Sequence, residues 1–368
     1  MAEKKKQHYV PRMLLKNFAN EQGYIHLYNR EKDIFQSEIS YLSQCQKDYF
    51  YGNTKDIEDF LGKFESIVES IFQKLFQNKG TKTLLFSIDE YRILSMFIVS
   101  QYLRTRGKLE RTVDSLDDFR QQVKKTISQF HSIYEHDESD EEALERLVPK
   151  SEKKEITRNN VKIAFESYTE YSDLAVLIIN NQTNVNFILS DDPAVMKNFY
   201  YPRRGFGLAL VGILYFLPIS PKQALLLIDE VVYFKPNTIT PFIDIRDELD
   251  ILKLNTWQFA KSNLLFSLDE KSLKTTVGRN LRYKKNNVLF AKEYITTDVA
   301  IENPFLSLDA INKKTIEILK NEDDFNNAIN DYVDEDNIPS FLYIYAEMRR
   351  KGRNEYWQIP LRKDLYKR

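Results

Sequence analysis

The segment KKKQHYVPR, residues 4–12, is the stretch around which the rest of this sequence is organised. A histidine, a tyrosine, a proline and an arginine fall within five consecutive positions, and an apolar run follows at once. Val10 is predicted to be extended because the following Pro11 disfavours the α region. Pro11 then suits the first turn of a helix whose apolar side chains face inward. This arrangement would hold His8 just outside a docked helix.

The composition is that of a globular protein. The 368 residues can bury a large core, and 42% hydrophobic with 13% aromatic residues give no sign of long disorder. The single cysteine, Cys45, excludes an intramolecular disulfide and fits a reducing compartment. No apolar run is long enough for a membrane helix, and the first residues do not resemble a secretory signal. A cytoplasmic protein without a membrane segment is therefore expected.

Charge is segregated along the chain although the net charge is only −1. Residues 271–285 contain six lysines or arginines and no acidic residue, and the tail from Arg349 onward is also basic. Acidic runs occupy residues 135–145 and 322–336. Basic blocks are typical of nucleic-acid-binding surfaces, but they are also common as solvated faces. Nucleic acid and a protein partner therefore both stay open as binding partners.

Apolar spacing predicts helices on both sides of a sheet. Residues 24–28 alternate like a half-buried strand, with 33–39 as the hairpin partner. Residues 46–53 are predicted to be an aromatic loop. Ser87 and Glu90 form a capping box. Predicted helices cover residues 55–76, 87–106, 115–134, 157–172, the region after Pro241 and 310–330. Predicted strands cover residues 174–179, 185–189, 213–217 and 224–233. The prediction is an α+β fold, mostly helical, with a central and largely antiparallel sheet over roughly residues 174–233.

Two regions are distinguished along the chain. Residues 1–270 are predicted to form a core domain that contains the N-terminal hairpin, the helical middle and the central sheet. Residues 271–368 are predicted to form a C-terminal helical extension with a strand over 341–345 and the basic tail. This extension is either a separate unit or part of the same domain.

His8 is the best titratable candidate for catalysis, because imidazole ionises near neutral pH and can act as acid, base or phosphate contact. The alternative is that His8 only packs beside the first helix. Lys5, Tyr9 and Arg12 lie next to it in the sequence and are predicted to bind substrate.

A second candidate group closes a long amphipathic helix. Gln101 and Arg104 are three residues apart on one helix face, so an amide and a guanidinium can converge on one site. Both are predicted to be catalytic, since the guanidinium fork matches phosphate or carboxylate. The competing interpretation is a helix end whose cations complement the helix dipole.

A third candidate is the acidic turn that follows a predicted strand at Ser190. Asp191 is predicted to be catalytic, and Asp192 to bind substrate. Carboxylates at strand ends commonly orient a base or hold magnesium, so Asp191 is the one predicted metal ligand and Mg²⁺ a candidate cofactor. The same turn also has a plain structural use before proline. The Glu-x-Lys partner of restriction-type nucleases is absent, because the next strand carries DEVV at residues 229–232.

The order of these motifs along the chain resembles a known family. HYVP at residues 8–11, QYLRT at 101–105, SDDP at 190–193 and LPISP at 217–221 look like the ordered motifs of the bacterial domain-of-unknown-function family 4238. The resemblance extends from His8 to about Leu265. Two positions depart from the family pattern. They are Arg106, where a small residue or proline is usual, and Asp192, where asparagine is common. The resemblance implies no established reaction, but genes of this family among mobile elements and defence islands imply a phage-defence or toxin role.

Two hypotheses of function follow. The first is a nuclease-like hydrolase acting on nucleic acid or a nucleotide, with His8 as acid or base, Gln101 and Arg104 on phosphate, and Asp191 orienting a group or a metal. It predicts that these four side chains line one pocket. The second is a non-catalytic sensor or interaction protein of a defence system that binds nucleic acid or a protein partner.

Overall fold

The structure is a computed structural model of the chain. It describes eight stretches, which are residues 6–53, 55–77, 86–134, 137–200, 207–234, 241–281, 307–320 and 337–344. Among the sequence predictions, Lys5, the acidic run 322–336 and the basic tail lie outside these stretches.

The N-terminal segment is docked on the core of the protein. Its elements are β1 (Lys6–His8), α1 (Arg12–Asn17), β2 (Tyr24–Asn29), β3 (Ile34–Ser40) and β4 (Gln46–Asp48). Strand β1 pairs with β4 in antiparallel fashion, so the prediction of a loop over 46–53 is wrong for its first three residues. Pro11 has an extended ψ of 137° and lies one residue before α1, which turns Leu14, Leu15 and Phe18 into the core. The predicted hairpin of β2 and β3 is confirmed.

Helices make up the middle of the chain. They are α2 (Asp56–Gln77), α3 (Ile88–Leu103), α4 (Arg106–His131), α5 (Asp140–Leu147) and α6 (Lys153–Glu166). The capping box predicted at Ser87 and Glu90 is confirmed at the start of α3. The helix predicted to reach Arg106 ends earlier, because the Thr105 side chain accepts the N–H of Lys108 and starts α4. The chain therefore bends between Leu103 and Arg106. The region around this bend is called the corner of α3 and α4 below.

The central sheet has five strands in the order β11-β5-β9-β8-β7. Its strands are β5 (Ala175–Asn181), β7 (Val195–Asn198), β8 (Ile213–Ser220), β9 (Gln223–Ile228) and β11 (Phe242–Ile245). All neighbours are antiparallel except β11 and β5. Buried aliphatic and aromatic side chains fill β8 and β9 on both faces, which matches their continuous apolar runs. The predicted α+β fold with a largely antiparallel central sheet is confirmed.

A second sheet joins distant parts of the chain in the order β3-β2-β12-β6. It includes β6 (Leu189–Ser190) and β12 (Leu264–Ser267). The prediction of a strand over 185–189 in the central sheet is wrong, because only Leu189 of that run is in a strand and β6 belongs to the second sheet. The reason lies in its backbone donors, since the N–H of Ile188 bonds to the side chain of Asn255 and that of Asn186 to Ser272. These donors are therefore not available to a strand ladder.

The C-terminal part adds α7 (Glu248–Lys261), the helical residues 270–281 (α8), α9 (Leu308–Lys320) and a short pairing of β10 (Tyr233–Phe234) with β13 (Tyr343–Ile344). The indole N–H of Trp257 donates to the carbonyl of Asn337 at 3.0 Å, and Lys253 Nζ donates to the carbonyl of Ile338 at 3.0 Å. Residues 337–344 therefore pack on α7. Within the stretches described, no helix combines the length and the apolarity needed to cross a bilayer.

Candidate acid–base site at the corner of α3 and α4

Arg104 lies at the end of α3 and is only 1% exposed. Its Nη2 lies 2.7 Å from Oε1 of Glu65 on α2, and its Nε–H donates to the carbonyl of Tyr9 at 3.4 Å. Its Nη1 has no hydrogen-bond partner among the described residues. Arg104 therefore ties α2, α3 and the HYVP segment together from inside the protein. A ligand phosphate would have to compete with Glu65 for this guanidinium.

Gln101 is fully buried one turn earlier on α3. Its amide nitrogen donates to Ser100 Oγ at 3.2 Å, while its Oε1 has no partner within the described part of the chain. Gln101 and Arg104 thus have one unused acceptor and one unused donor in the interior. Buried polar atoms of this kind are uncommon and call for a partner such as an ordered water molecule.

His8 is 8% exposed, and its ring is held at the edge of the docked N-terminal segment. Its Nε2 lies 3.3 Å from Nε of the exposed Arg12 and 3.4 Å from the carbonyl oxygen of Leu42. One ring nitrogen cannot accept from Arg12 and donate to Leu42 at the same time, so the presence or absence of a hydrogen on Nε2 decides which of these contacts is a hydrogen bond. The backbone carbonyl of His8 accepts the hydroxyl of Tyr51 at 3.1 Å.

Tyr9 connects the HYVP segment to the acidic turn. It is buried against Phe50, with ring centroids 5.4 Å apart. Burial raises the pKa of Tyr9 far above its usual value, Cys45 and Asp191 raise it further, and Arg106 opposes them. Burial likewise raises the pKa of the Cys45 thiol, so this cysteine stays protonated and is a poor nucleophile. The charge of Asp191 is thus one of the influences that keep the Tyr9 hydroxyl protonated.

Asp191 directly follows β6 and is half-buried. Its Oδ1 accepts the backbone N–H groups of Asn263 and Leu264, both at 3.1 Å. Its Oδ2 has no hydrogen-bond partner among the described residues. Burial raises the pKa of Asp191 to about 6, the bonds from these N–H groups oppose the shift, and neighbouring Asp192 adds to it. Asp191 is thus a carboxyl group that is held by one oxygen and can exchange a proton near neutral pH at the other.

Asp192 is more deeply buried and fully engaged in the corner between α3 and α4. The hydroxyl of Thr105 donates to its Oδ1 at 2.5 Å, and Arg111 Nη2 lies 2.5 Å from its Oδ2. Gly107 lets the first turn of α4 approach this carboxylate, because a β-carbon at position 107 would lie only 3.0 Å from Oδ2. The Asp192 carboxylate therefore fastens the acidic turn to the start of α4.

Gln258 of α7 supports the turn from the other side, and sequence reasoning missed it. Ser190 Oγ donates to Gln258 Oε1 at 2.6 Å, and Gln258 Nε2 donates to the carbonyl of Pro193 at 2.7 Å. All these atoms are buried. The sequence offers one signal for it, a glutamine between Trp257 and Phe259 in an apolar helical pattern. This signal is too weak to identify Gln258 unless the fold is known.

Two cations of α4 lie at the outer side of this corner. Arg106 is exposed and pairs with Glu110 at 2.7 Å. Lys108 is half-buried with its Nζ 5.0 Å above the Tyr102 ring, and its pKa is lowered by burial and by Arg111, with Asp192 opposing. The corner thus holds a carboxyl group with a raised pKa and an amine with a lowered one. Perturbed pKa values of this kind are more common at functional sites than elsewhere.

The four predicted catalytic residues therefore differ in environment. Arg104 donates to the backbone carbonyl of Tyr9, and Thr105 of the same motif donates to Asp192, so three motifs meet at this corner. Gln101, Arg104 and His8 are buried, whereas Asp191 is partly exposed and its Oδ2 has no hydrogen-bond partner among the described residues. Two cavities of about 640 and 520 Å³ lie elsewhere along α4 and are lined by other residues. The described residues contain no cluster of three or more metal-binding side chains of the His, Cys, Asp or Glu type.

The fold and the site together define an α+β protein in which ordered sequence motifs build one polar corner around a docked N-terminal segment. The chain belongs to the family described as protein of unknown function DUF4238, whose profile matches residues 6–272, and the resemblance noted from the sequence is thereby confirmed. No curated protein and no solved structure matches the chain.

Proposed function

We propose that this protein hydrolyses a phosphate ester in nucleic acid or a nucleotide, with Asp191 as the residue that transfers the proton. The observation that carries the proposal is the geometry of Asp191. Two backbone N–H groups fix one carboxylate oxygen, while the other oxygen has no partner among the described residues. Its raised pKa of about 6 leaves the carboxylate mostly ionised at neutral pH but basic enough to accept a proton.

In this proposal the Asp191 carboxylate removes a proton from a water molecule as the water oxygen bonds to phosphorus. The bond from phosphorus to the leaving ester oxygen breaks with its electron pair, and the leaving oxygen takes up a proton from solvent. The exposed guanidinium of Arg106 and the positive N-terminal end of α4 provide a favourable environment for the phosphate. Arg106 would exchange its pairing with Glu110, which is a surface interaction of small free energy. The proposed reaction thus takes place on the side of the corner where Asp191 and Arg106 lie, and not among its buried residues.

His8, Gln101 and Arg104 act in this proposal as positioning residues. Their burial and their contacts to α1, α2 and the HYVP backbone support such a role. Magnesium stays a candidate cofactor, because Mg²⁺ is often bound by one or two carboxylates together with substrate phosphates and water. If Mg²⁺ were bound, the Oδ2 of Asp191 would supply one such ligand in place of its role as proton acceptor, because its Oδ1 is held by Asn263 and Leu264. The family resemblance supports a place in phage defence or a toxin system.

The proposal is tested by comparing the wild-type protein with the Asp191→Asn variant on single-stranded RNA, single-stranded DNA, duplex DNA and nucleoside triphosphates, each with and without Mg²⁺. Asparagine keeps the oxygen that accepts from Asn263 and Leu264, so the fold is expected to be retained. The variant is expected to lose at least about a hundredfold in rate, the usual contribution of a general base. Asp59→Asn, at an exposed carboxyl group on α2, is the matched control. Hydrolysis by Asp191→Asn at the wild-type rate would exclude the proposed role.

A non-catalytic sensor or interaction protein is the second candidate. It is supported by the burial of His8, Gln101 and Arg104, since buried motif residues are also what a purely structural corner requires. The same assay separates the two candidates. A folded wild-type protein that binds nucleic acid or a partner but hydrolyses none of the four substrate classes would favour the sensor.

A further inference from the structure

Residues 337–344, called the strap below, are bound along α7 although they follow it by some eighty residues in the sequence. The indole N–H of Trp257 donates to the carbonyl of Asn337, and Lys253 Nζ donates to the carbonyl of Ile338, both at 3.0 Å. Asn337 is fully buried. The strap is therefore a part of the interior next to α7.

Asp250 extends this contact to the first turn of α7. Its Oδ1 accepts the backbone N–H of Ser340 at 2.7 Å, and its Oδ2 accepts the hydroxyl of the same serine. Hydrogen bonds to a carboxylate are stronger than those between neutral groups. Asp250, Lys253 and Trp257 are separated by three and four residues, so the strap is bound along one face of the helix.

The residue that follows Trp257 holds the acidic turn. Gln258 is fully buried, and its amide bonds to the hydroxyl of Ser190 and to the carbonyl of Pro193, at the two ends of the turn that carries Asp191. The Ser190 hydroxyl in turn accepts the N–H of Asp192 at 3.3 Å. A displacement of α7 would therefore act on both ends of the turn at once.

We infer that the strap positions the acidic turn through α7, and that Ser340 is a positioning residue for the Asp191 site. Hydrogen bonds connect the strap to α7, and Gln258 of α7 to the turn. The strap lies beyond residues 6–272, which match the family profile, so it supports the site from outside the part of the chain that defines the family. An effect on hydrolysis rests on the proposed function, whereas an effect on the turn itself does not.

The experiment is hydrogen–deuterium exchange of the full chain as wild type, Ser340→Ala and Ser340→Pro. Alanine removes the hydroxyl that bonds to Asp250, and proline removes both the hydroxyl and the N–H. Neither change alters α7, so an effect on the turn has to pass through the helix. Exchange of the backbone amides of residues 190–192 is expected to become at least about tenfold faster in Ser340→Pro, and to increase less in Ser340→Ala.

The variants are expected to fold, because the buried side chains of Ile251 and Leu254 keep α7 on the core. Should Ser340→Pro fail to fold, Asp250→Ala removes the same two bonds from the helix side and gives the answer. Arg120→Ala is the matched control, since it breaks a side-chain bond to the carbonyl of Val148 outside the strap and α7.

A folded Ser340→Pro protein whose acidic turn exchanges at the wild-type rate would overturn the inference. Equal acceleration of the turn in Arg120→Ala would overturn it as well, because the effect would then be a general loss of stability.

Hydrolysis provides a second readout. Ser340→Pro should lower kcat and leave KM nearly unchanged, because the change loosens the acidic turn and removes no group that binds substrate. A wild-type protein that hydrolyses none of the substrates would refute the proposed function, and faster exchange of the turn would still support the strap as its positioning element. An active wild-type protein with unchanged exchange in the variants would refute the inference alone.

Discussion

Replacing Asp191 with asparagine should make the protein more stable at neutral pH. The folded state disfavours an ionised carboxyl group at this position, because burial outweighs the two N–H groups that bind its Oδ1. Asparagine keeps that acceptor oxygen and carries no charge. A residue that serves catalysis at the expense of stability behaves in this way.

The magnitude follows from the pKa. The usual value is 3.8 and the folded value about 6, so ionisation is harder in the folded state by roughly two pH units. At about 1.4 kcal/mol per unit this gives an upper limit of roughly 3 kcal/mol. Solvent screening of a half-buried group reduces the expected gain to about 1–2 kcal/mol. The stability from protonated Asp191 is fully present below the unfolded value of 3.8 and is lost as the pH rises through about 6.

The assay is urea denaturation of wild-type and Asp191→Asn protein at several pH values from 4 to 8. The free energies of unfolding should differ least at pH 4, the end of the range nearest the unfolded value of 3.8, and should separate progressively up to about pH 6, with the variant more stable above. Asp59→Asn, at an exposed site, should show no such pH-dependent gain. An Asp191→Asn protein that is less stable at pH 7.5, or a gain that is the same at every pH, would refute the reasoning.

Three further predictions concern other parts of the account. Glu65→Gln should lower the free energy of unfolding by about 2–4 kcal/mol, because it leaves the buried charge of Arg104 without its carboxylate. Glu110→Gln, the control at an exposed ion pair, should change it by less than about 0.5 kcal/mol. Equal losses for the two variants in urea denaturation would contradict a structural role for Arg104. His8→Gln should fold and be inactive, because the amide does not reproduce the ring contacts to Arg12 and Leu42 by which His8 positions the HYVP segment. Full activity of this variant would remove His8 from the functional residues. Deleting residues 349–368 should weaken salt-sensitive binding to RNA or DNA in a filter-binding assay, because this segment combines basic residues with Tyr356 and Trp357 as stacking faces. An unchanged affinity would show that the tail does not contribute to this binding.

Local signals in the sequence predicted the helical middle and the central sheet. The capping box at Ser87 involves only four consecutive residues, and the apolar stripe of α2 repeats with each helical turn. Both patterns can therefore be recognised without knowledge of the fold. Strands β8 and β9 were also recognisable, because both are continuous apolar runs separated by Pro221 and Lys222.

The second sheet could not be predicted in the same way. Strand β12 pairs with β2 more than two hundred residues earlier and with β6 on its other side. Each partner is a short strand whose local pattern says nothing about which distant strand it meets. The run at 185–188 shows a different error, in which a strand is predicted where none forms. Its apolar pattern fits a strand, but two of its backbone N–H groups bond to the side chains of Asn255 and Ser272.

The sequence was sufficient to predict which residues belong to the candidate site. It was not sufficient to predict which of them are buried and which can contact a substrate. The motifs identified His8, Gln101, Arg104 and Asp191 by type and order. Burial separates them, and burial depends on residues such as Glu65, which the sequence of α2 presents as part of a solvated face. Tertiary contact therefore decides which of these polar groups can meet a substrate.

The most direct test of the account is the pH dependence of kcat/KM on the best substrate of the hydrolysis panel, measured for wild-type protein from pH 4.5 to 8. A general base at Asp191 predicts that kcat/KM rises with pH and levels off above about pH 6, where the carboxylate is ionised. The residual activity of Asp191→Asn should lack this rise. A wild-type profile that is flat across the range, or a rise that persists in Asp191→Asn, would contradict the assignment of Asp191 as the proton-transferring residue.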